Sequence, residues 1–172
     1  GLGAVPQLQR LRLDQNALTH LPTQFGNMKK LRWLSAGNNV LVSIPSELGQ
    51  VSLLRLLSLP SNSIQGGLPS QIGRLLFLEN LDLDEALVSG SIPPQLGDCA
   101  ELQSLNLKGN GLRGVLPLQL GRLTKVKTLS LAENELQGSV PLEWRQLRTL
   151  RTLDVRKNRL VGTLPALMPL LS

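Results

Sequence analysis

Few residues in this chain could carry out chemistry. Cys99 is the single cysteine, and a thiol becomes a nucleophile where its pKa is lowered. One cysteine excludes an internal disulfide and a cysteine-rich metal site. His20 is the single histidine, with no neighbouring His or Cys to share a metal and no Ser or Cys placed to form a catalytic pair. Asp82, Asp84 and Glu85 bring carboxylates together, as a calcium site or a general acid–base pair would require. Gly66-Gly67 has no following lysine and no strand–helix junction of the phosphate-loop kind.

The elements that carry these residues repeat. The stretch Leu102 to Lys125 can be laid over the chain seven times, its first apolar position recurring at Leu8, Leu31, Leu54, Leu78, Leu102, Val126 and Leu150. The steps are 23, 23, 24, 24, 24 and 24 residues. A fixed period of this size marks a repeat architecture, in which each unit buries its apolar face only against its neighbours.

The pattern L-x-x-L-x-L-x-x-N-x-L resembles the leucine-rich-repeat family over essentially the whole chain. Five repeats continue with L-x-G-x-[ILV]-P, at Ile64–Pro69, Val88–Pro93, Leu112–Pro117, Leu136–Pro141 and Leu160–Pro165. That extension is similar to the class found in plant receptor-like kinases and receptor-like proteins. The first two repeats are one residue shorter there (Leu18–Pro22 and Leu41–Pro45) and resemble the shorter, typical class. The resemblance implies an α/β solenoid spanning 1–172: a right-handed, curved horseshoe arc with a parallel concave sheet of about seven strands. Its convex side would be mostly 3-10 turns and irregular backbone. Leu2-Gly3-Ala4-Val5 matches Leu120–Leu123, and the chain stops at Leu171-Ser172 within another repeat. Solenoids need polar capping units, so the expectation is a piece of a longer chain without its caps.

This register answers the first questions. Cys99 falls in the column of Val51, Leu75, Leu123 and Leu147, which faces the core, where a thiol is a small, inert hydrophobe. Trp144 takes the column of Leu120 and is expected to fill the core, with Arg145 in the column of Gly121. His20 lies in a turn. Asp82 and Asp84 sit at i and i+2 on one strand face, better suited to a recognition surface than to a metal. No catalytic residue, metal or cofactor is expected; a kinase elsewhere in a longer chain is compatible with the resemblance alone. Asparagines at 16, 39, 62, 110, 134 and 158 should end each strand and satisfy buried backbone groups. Ala86 breaks that column, which predicts a local distortion or a bound water. Glycines such as Gly114 and Gly138 should take unusual dihedrals.

Reading the outward columns gives the concave face. One column runs Arg10, Trp33, Leu56, Asn80, Ser104, Thr128, Thr152; the next runs Arg12, Ser35, Ser58, Asp82, Asn106, Ser130, Asp154. Trp33 beside Leu56 is the kind of aromatic and apolar anchor that dominates protein interfaces, or else a cover for the sheet. Asp82, Asp84 and Glu85 form an acidic centre, flanked at one end by Arg10 and Arg12, with Arg156 and Lys157 at the other end; Lys108, in the column of Asp84 and Arg156, joins them as a concave binding residue. The charge is banded accordingly: +5 before Glu79, six acids without a Lys or Arg from Glu79 to Glu101, and +7 after it. The flank and convex side are basic (Lys29, Lys30, Arg74, Arg122, Lys125, Arg145, Arg148), interrupted by Leu53, Leu76 and Phe77.

The expected function is a non-catalytic, receptor-like module that binds a protein or peptide through its concave face. The alternative is a scaffold subunit that uses its flanks in a larger complex. Nucleic acid is a poor partner, because stacking aromatics are scarce and the acidic centre repels phosphate. No apolar run reaches the length of a membrane span. The resemblance favours a cell-surface or extracellular setting. The absence of an Asn-x-Ser/Thr sequon leans towards an intracellular one.

Overall fold

The computed structural model describes residues 7–165. Residues 2–5 and 171–172, read above as parts of further repeats, lie outside that range. Seven strands of three residues form one parallel sheet: β1 (Arg10–Arg12), β2 (Trp33–Ser35), β3 (Leu56–Ser58), β4 (Asn80–Asp82), β6 (Ser104–Asn106), β8 (Thr128–Ser130) and β10 (Thr152–Asp154). The strand order follows the chain order, as it must when each repeat touches only its neighbours. The central leucines are in register from Leu11 through Leu34, Leu57, Leu81, Leu105 and Leu129 to Leu153. The alternation of strand side chains sends this row inward and its two neighbours outward. Leu34, Leu57, Leu81, Leu105 and Leu129 are buried.

Each strand is short because the chain turns sharply after it. Gln15, Asn38, Ser61, Glu85, Glu133 and Lys157 have φ between 50° and 58°, and Gly109 in the same column has φ 66°. The turn carries the following asparagine inward. Asn134 shows the pattern: its Nδ2 donates to the carbonyls of Leu107, Leu131 and Ala132 at 2.8, 3.1 and 3.0 Å, and its Oδ1 accepts from the Leu112 N–H at 3.0 Å. Asn39, Asn62, Asn110 and Asn158 repeat it.

At Ala86 the expected distortion is present, and the backbone itself substitutes for the missing amide. The Ile64 N–H, which an asparagine Oδ1 would accept, donates to the Ala86 carbonyl at 2.9 Å. Leu87 is left at φ 60°, an unfavourable region for a leucine, with its side chain exposed.

The opposite side consists of six 3-10 turns, from Thr23–Asn27 to Leu142–Gln146. They stack so closely that glycine is obligatory at one point in each of five successive turns. A Cβ on Gly26, Gly49, Gly73, Gly97 or Gly121 would lie 2.2–2.9 Å from a backbone carbonyl oxygen of the next turn. Arg145 ends that column. Trp144 is completely buried, and its Nε1–H donates to the Pro117 carbonyl at 3.1 Å.

A second parallel sheet was not anticipated from the sequence. It joins β5 (Ser89–Gly90), β7 (Gly111–Val115), β9 (Glu135–Gly138) and β11 (Arg159–Leu160). All four belong to the longer repeats. Gly90, Gly114 and Gly138 have φ of 77°, 85° and 79°, as expected of that column.

Candidate recognition surface

The N-terminal end of the concave face holds a depression of about 490 Å³. Trp33 and Leu56 lie directly opposite one another on β2 and β3 and are half-buried. Arg10 is in register with Trp33 from the other side. Arg32 and Arg55, each the residue before a strand, complete the rim with Glu79. The column of Arg32, Arg55 and Glu79 was not among those read from the sequence. Its 23- and 24-residue spacing is the signal that would have revealed it. Arg55 pairs with Glu79, whereas Arg10, Arg12 and Arg32 have no carboxylate partner among the described residues. The Arg12 guanidinium instead lies over the Trp33 ring.

The acidic centre is a connected cluster. Asp82 Oδ1 accepts from the Asp84 N–H at 3.2 Å and from Asn106 Nδ2 at 3.0 Å, while the Ser58 hydroxyl donates to Oδ2 at 3.4 Å. Burial pushes the Asp82 carboxyl above the usual range; the Asp84 charge adds to this, and the hydrogen bonds oppose it. Asp84 Oδ1 is buried without a hydrogen-bond partner, and Glu85 projects from the turn that follows β4, exposed. Among the described residues no group of three His, Cys, Asp or Glu is arranged to hold a metal.

The far end differs from a free basic band. Glu133 lies 3.9 Å from Lys108, 4.0 Å from Arg156 and 3.5 Å from Lys157, and Asp154 lies 3.4 Å from Arg156. The charge pattern of the sequence places Arg156 and Lys157 at this end and Lys108 on the same face, but does not show the acid they share. Glu133 stands in the column between Gly109 and Lys157, so its position was available in the repeat register.

Cys99 is completely buried, its Sγ is 3.3 Å from the Ile72 carbonyl, and burial pushes the thiol up to about 12. His20 is exposed, with Nδ1 3.0 Å from the Thr19 hydroxyl. The basic flank is partly neutralised by cross-repeat pairs, Arg122 with Asp98 at 3.1 Å and Lys125 with Glu101 at 2.6 Å. Leu76 and Phe77 are about half exposed, at 55% and 48%. No helix among the described residues is long and apolar enough to cross a membrane.

The family model described as leucine rich repeat matches residues 6–64 and 100–160. Among solved structures, a TDR receptor superposes with a TM-score of 0.91 at 28% identity, over 95% of this chain and 29% of that one. The Arabidopsis receptor kinase HAESA, in complex with the peptide hormone IDA and the co-receptor SERK1, gives 0.88 at 36% identity, over 94% of this chain and 28% of that one. The plant peptide hormone receptor RGFR1, in complex with RGF2, gives 0.67 at 26% identity, over 95% and 34%. The chain therefore spans about a third or less of these relatives. No curated protein sequence matches it.

Proposed function

The chain belongs to the leucine-rich-repeat family, and from that premise we propose that it is a non-catalytic recognition segment of a receptor-like protein, binding a protein or peptide on its concave face. The observation that carries this reading is the pairing of Trp33 with Leu56. Both are half-buried on an otherwise polar sheet and line a depression. A tryptophan held in a partly desolvated hollow is the kind of residue that supplies most of the energy of an interface, and Leu56 extends the apolar surface beside it. The fixed solenoid presents them without an ordering cost on binding. Support from outside the chain comes from neighbours whose structures hold peptide hormones.

Affinity capture from the native source tests this, comparing the parent with Trp33→Ala/Leu56→Ala. Circular dichroism checks that the variant retains its fold. The reading expects one or more partners kept by the parent and lost by the folded variant. Equal capture by both would make Trp33 a sheet cover. The exposed Leu76 and Phe77 on the flank would then support the scaffold reading instead.

A further inference from the structure

Building on the concave face as the recognition surface, we infer that the depression at its N-terminal end takes an acidic peptide segment in which a large apolar side chain is flanked by carboxylates. Trp33 and Leu56, opposite one another in the lining of the depression, offer an apolar seat. The same lining holds three guanidinium groups and one carboxylate, and that carboxylate is already paired with Arg55. Arg10 and Arg32 remain without an acidic partner among the described residues. Lys108, Arg156 and Lys157, the cations at the far end of the concave face, instead share Glu133, and Arg12 covers Trp33.

The acidic centre does not cancel this positive end. Arg10 on β1 is three strand spacings from β4, about 14 Å, and Arg32 beside β2 is two, about 10 Å; both exceed the Debye length of about 8 Å at physiological salt. Two uncompensated guanidinium groups beside an apolar seat select a ligand that supplies both negative charge and apolar surface. The same geometry argues against a long polyanion. A chain leaving the depression towards β4 meets Asp82, Asp84 and Glu85, so the segment that follows must be neutral or basic. The ligand chemistry is thus acidic–apolar–acidic over β1 to β3, followed by a basic residue over β4.

The test titrates the intact chain with labelled decapeptides. One carries Glu-Phe-Glu followed after one glycine by Lys; a second has the charges reversed; a third has Gly in place of Phe. A ten-nucleotide single-stranded DNA is the fourth probe. Anisotropy gives affinity. Trp33 emission reports occupancy, against a constant background from the buried Trp144. The Glu-Phe-Glu peptide is expected to bind at least tenfold tighter than the other three and to change Trp33 emission. In Arg10→Glu/Arg32→Glu the preference is expected to invert towards the charge-reversed peptide, and Arg10→Gln/Arg32→Gln should lose the preference. Equal binding of the reversed peptide or the DNA, no binding of any probe, or no response to the arginine substitutions would each overturn the inference. If a native partner is lost by Trp33→Ala/Leu56→Ala but retained by Arg10→Glu/Arg32→Glu, this inference falls while the concave recognition surface stands.

Discussion

The Arg12 guanidinium lies 5.8 Å from the centroid of the Trp33 ring, a diagonal contact, since the strand register pairs Arg12 with Ser35 and Arg10 with Trp33. The contact covers one face of the indole. An exposed cation–π pair contributes about 0.5–1 kcal/mol. Arg12→Ala should therefore lower the unfolding free energy by no more than about 1 kcal/mol, while Trp33 becomes more accessible to acrylamide. Trp144, fully buried, should stay protected in the same quenching experiment.

The break in the asparagine column makes a second prediction. Ala86→Asn restores an amide that can accept from the Ile64 N–H, releasing the Ala86 carbonyl and the strained Leu87 backbone. Chemical denaturation should show a gain of about 1 kcal/mol. The converse change, Asn134→Ala, strands the Leu112 N–H and removes donors from three carbonyls. It should cost about 2 kcal/mol or more.

Close stacking of the 3-10 turns can be tested by one methyl group. Gly97→Ala places a Cβ 2.2 Å from the Gln119 carbonyl oxygen, backbone that cannot step aside alone. Overpacking of this kind costs about 3 kcal/mol. Gly67→Ala is the control: its Cβ would meet nothing closer than the Ser89 oxygen at 3.4 Å. Its denaturation midpoint should move little, within about 0.5 kcal/mol.

Asp82 links the acidic centre to pH. Burial raises its folded pKa above the ordinary 3.8, so the native state holds the proton more tightly than the unfolded chain does. Its ionised form is a burden at neutral pH. That burden is relieved as pH falls through the folded pKa, and the relief is complete below 3.8. Asp82→Asn should accordingly be more stable than the parent at pH 7, with the gap closing on acidification. Thermal unfolding of both proteins across that range measures it. A gap that widens as pH falls would contradict the assignment.

Much of this molecule was legible because every repeat solves the same problem with the same residues. The leucine period placed the seven strands. The asparagine column placed the buried amides, and its break at Ala86 marked the distortion. The core assignments of Cys99 and Trp144 followed from their columns alone. What was not legible depends on contacts between repeats. β7, Gly111–Val115, contains two glycines and only five residues, so nothing in it reads as a strand until its parallel neighbours are present. The glycine in each convex turn shows its purpose only when the next turn lies against it. Glu133 neutralises cations from the repeats before and after it, and a net charge summed along the chain conceals that. The rim arginine Arg32 was likewise hidden, because residues just outside a strand lie beyond the two-residue alternation.

The central claim is that binding occurs on the concave face at β1 to β3. Amide hydrogen exchange of the chain with and without a captured native partner tests it most directly. The account predicts new protection at the edges of these strands, around Gln9–Arg12, Arg32–Ser35 and Arg55–Ser58, with the convex turns unchanged. Protection confined to the flank around Leu76 and Phe77, with the concave strands unchanged, would contradict it.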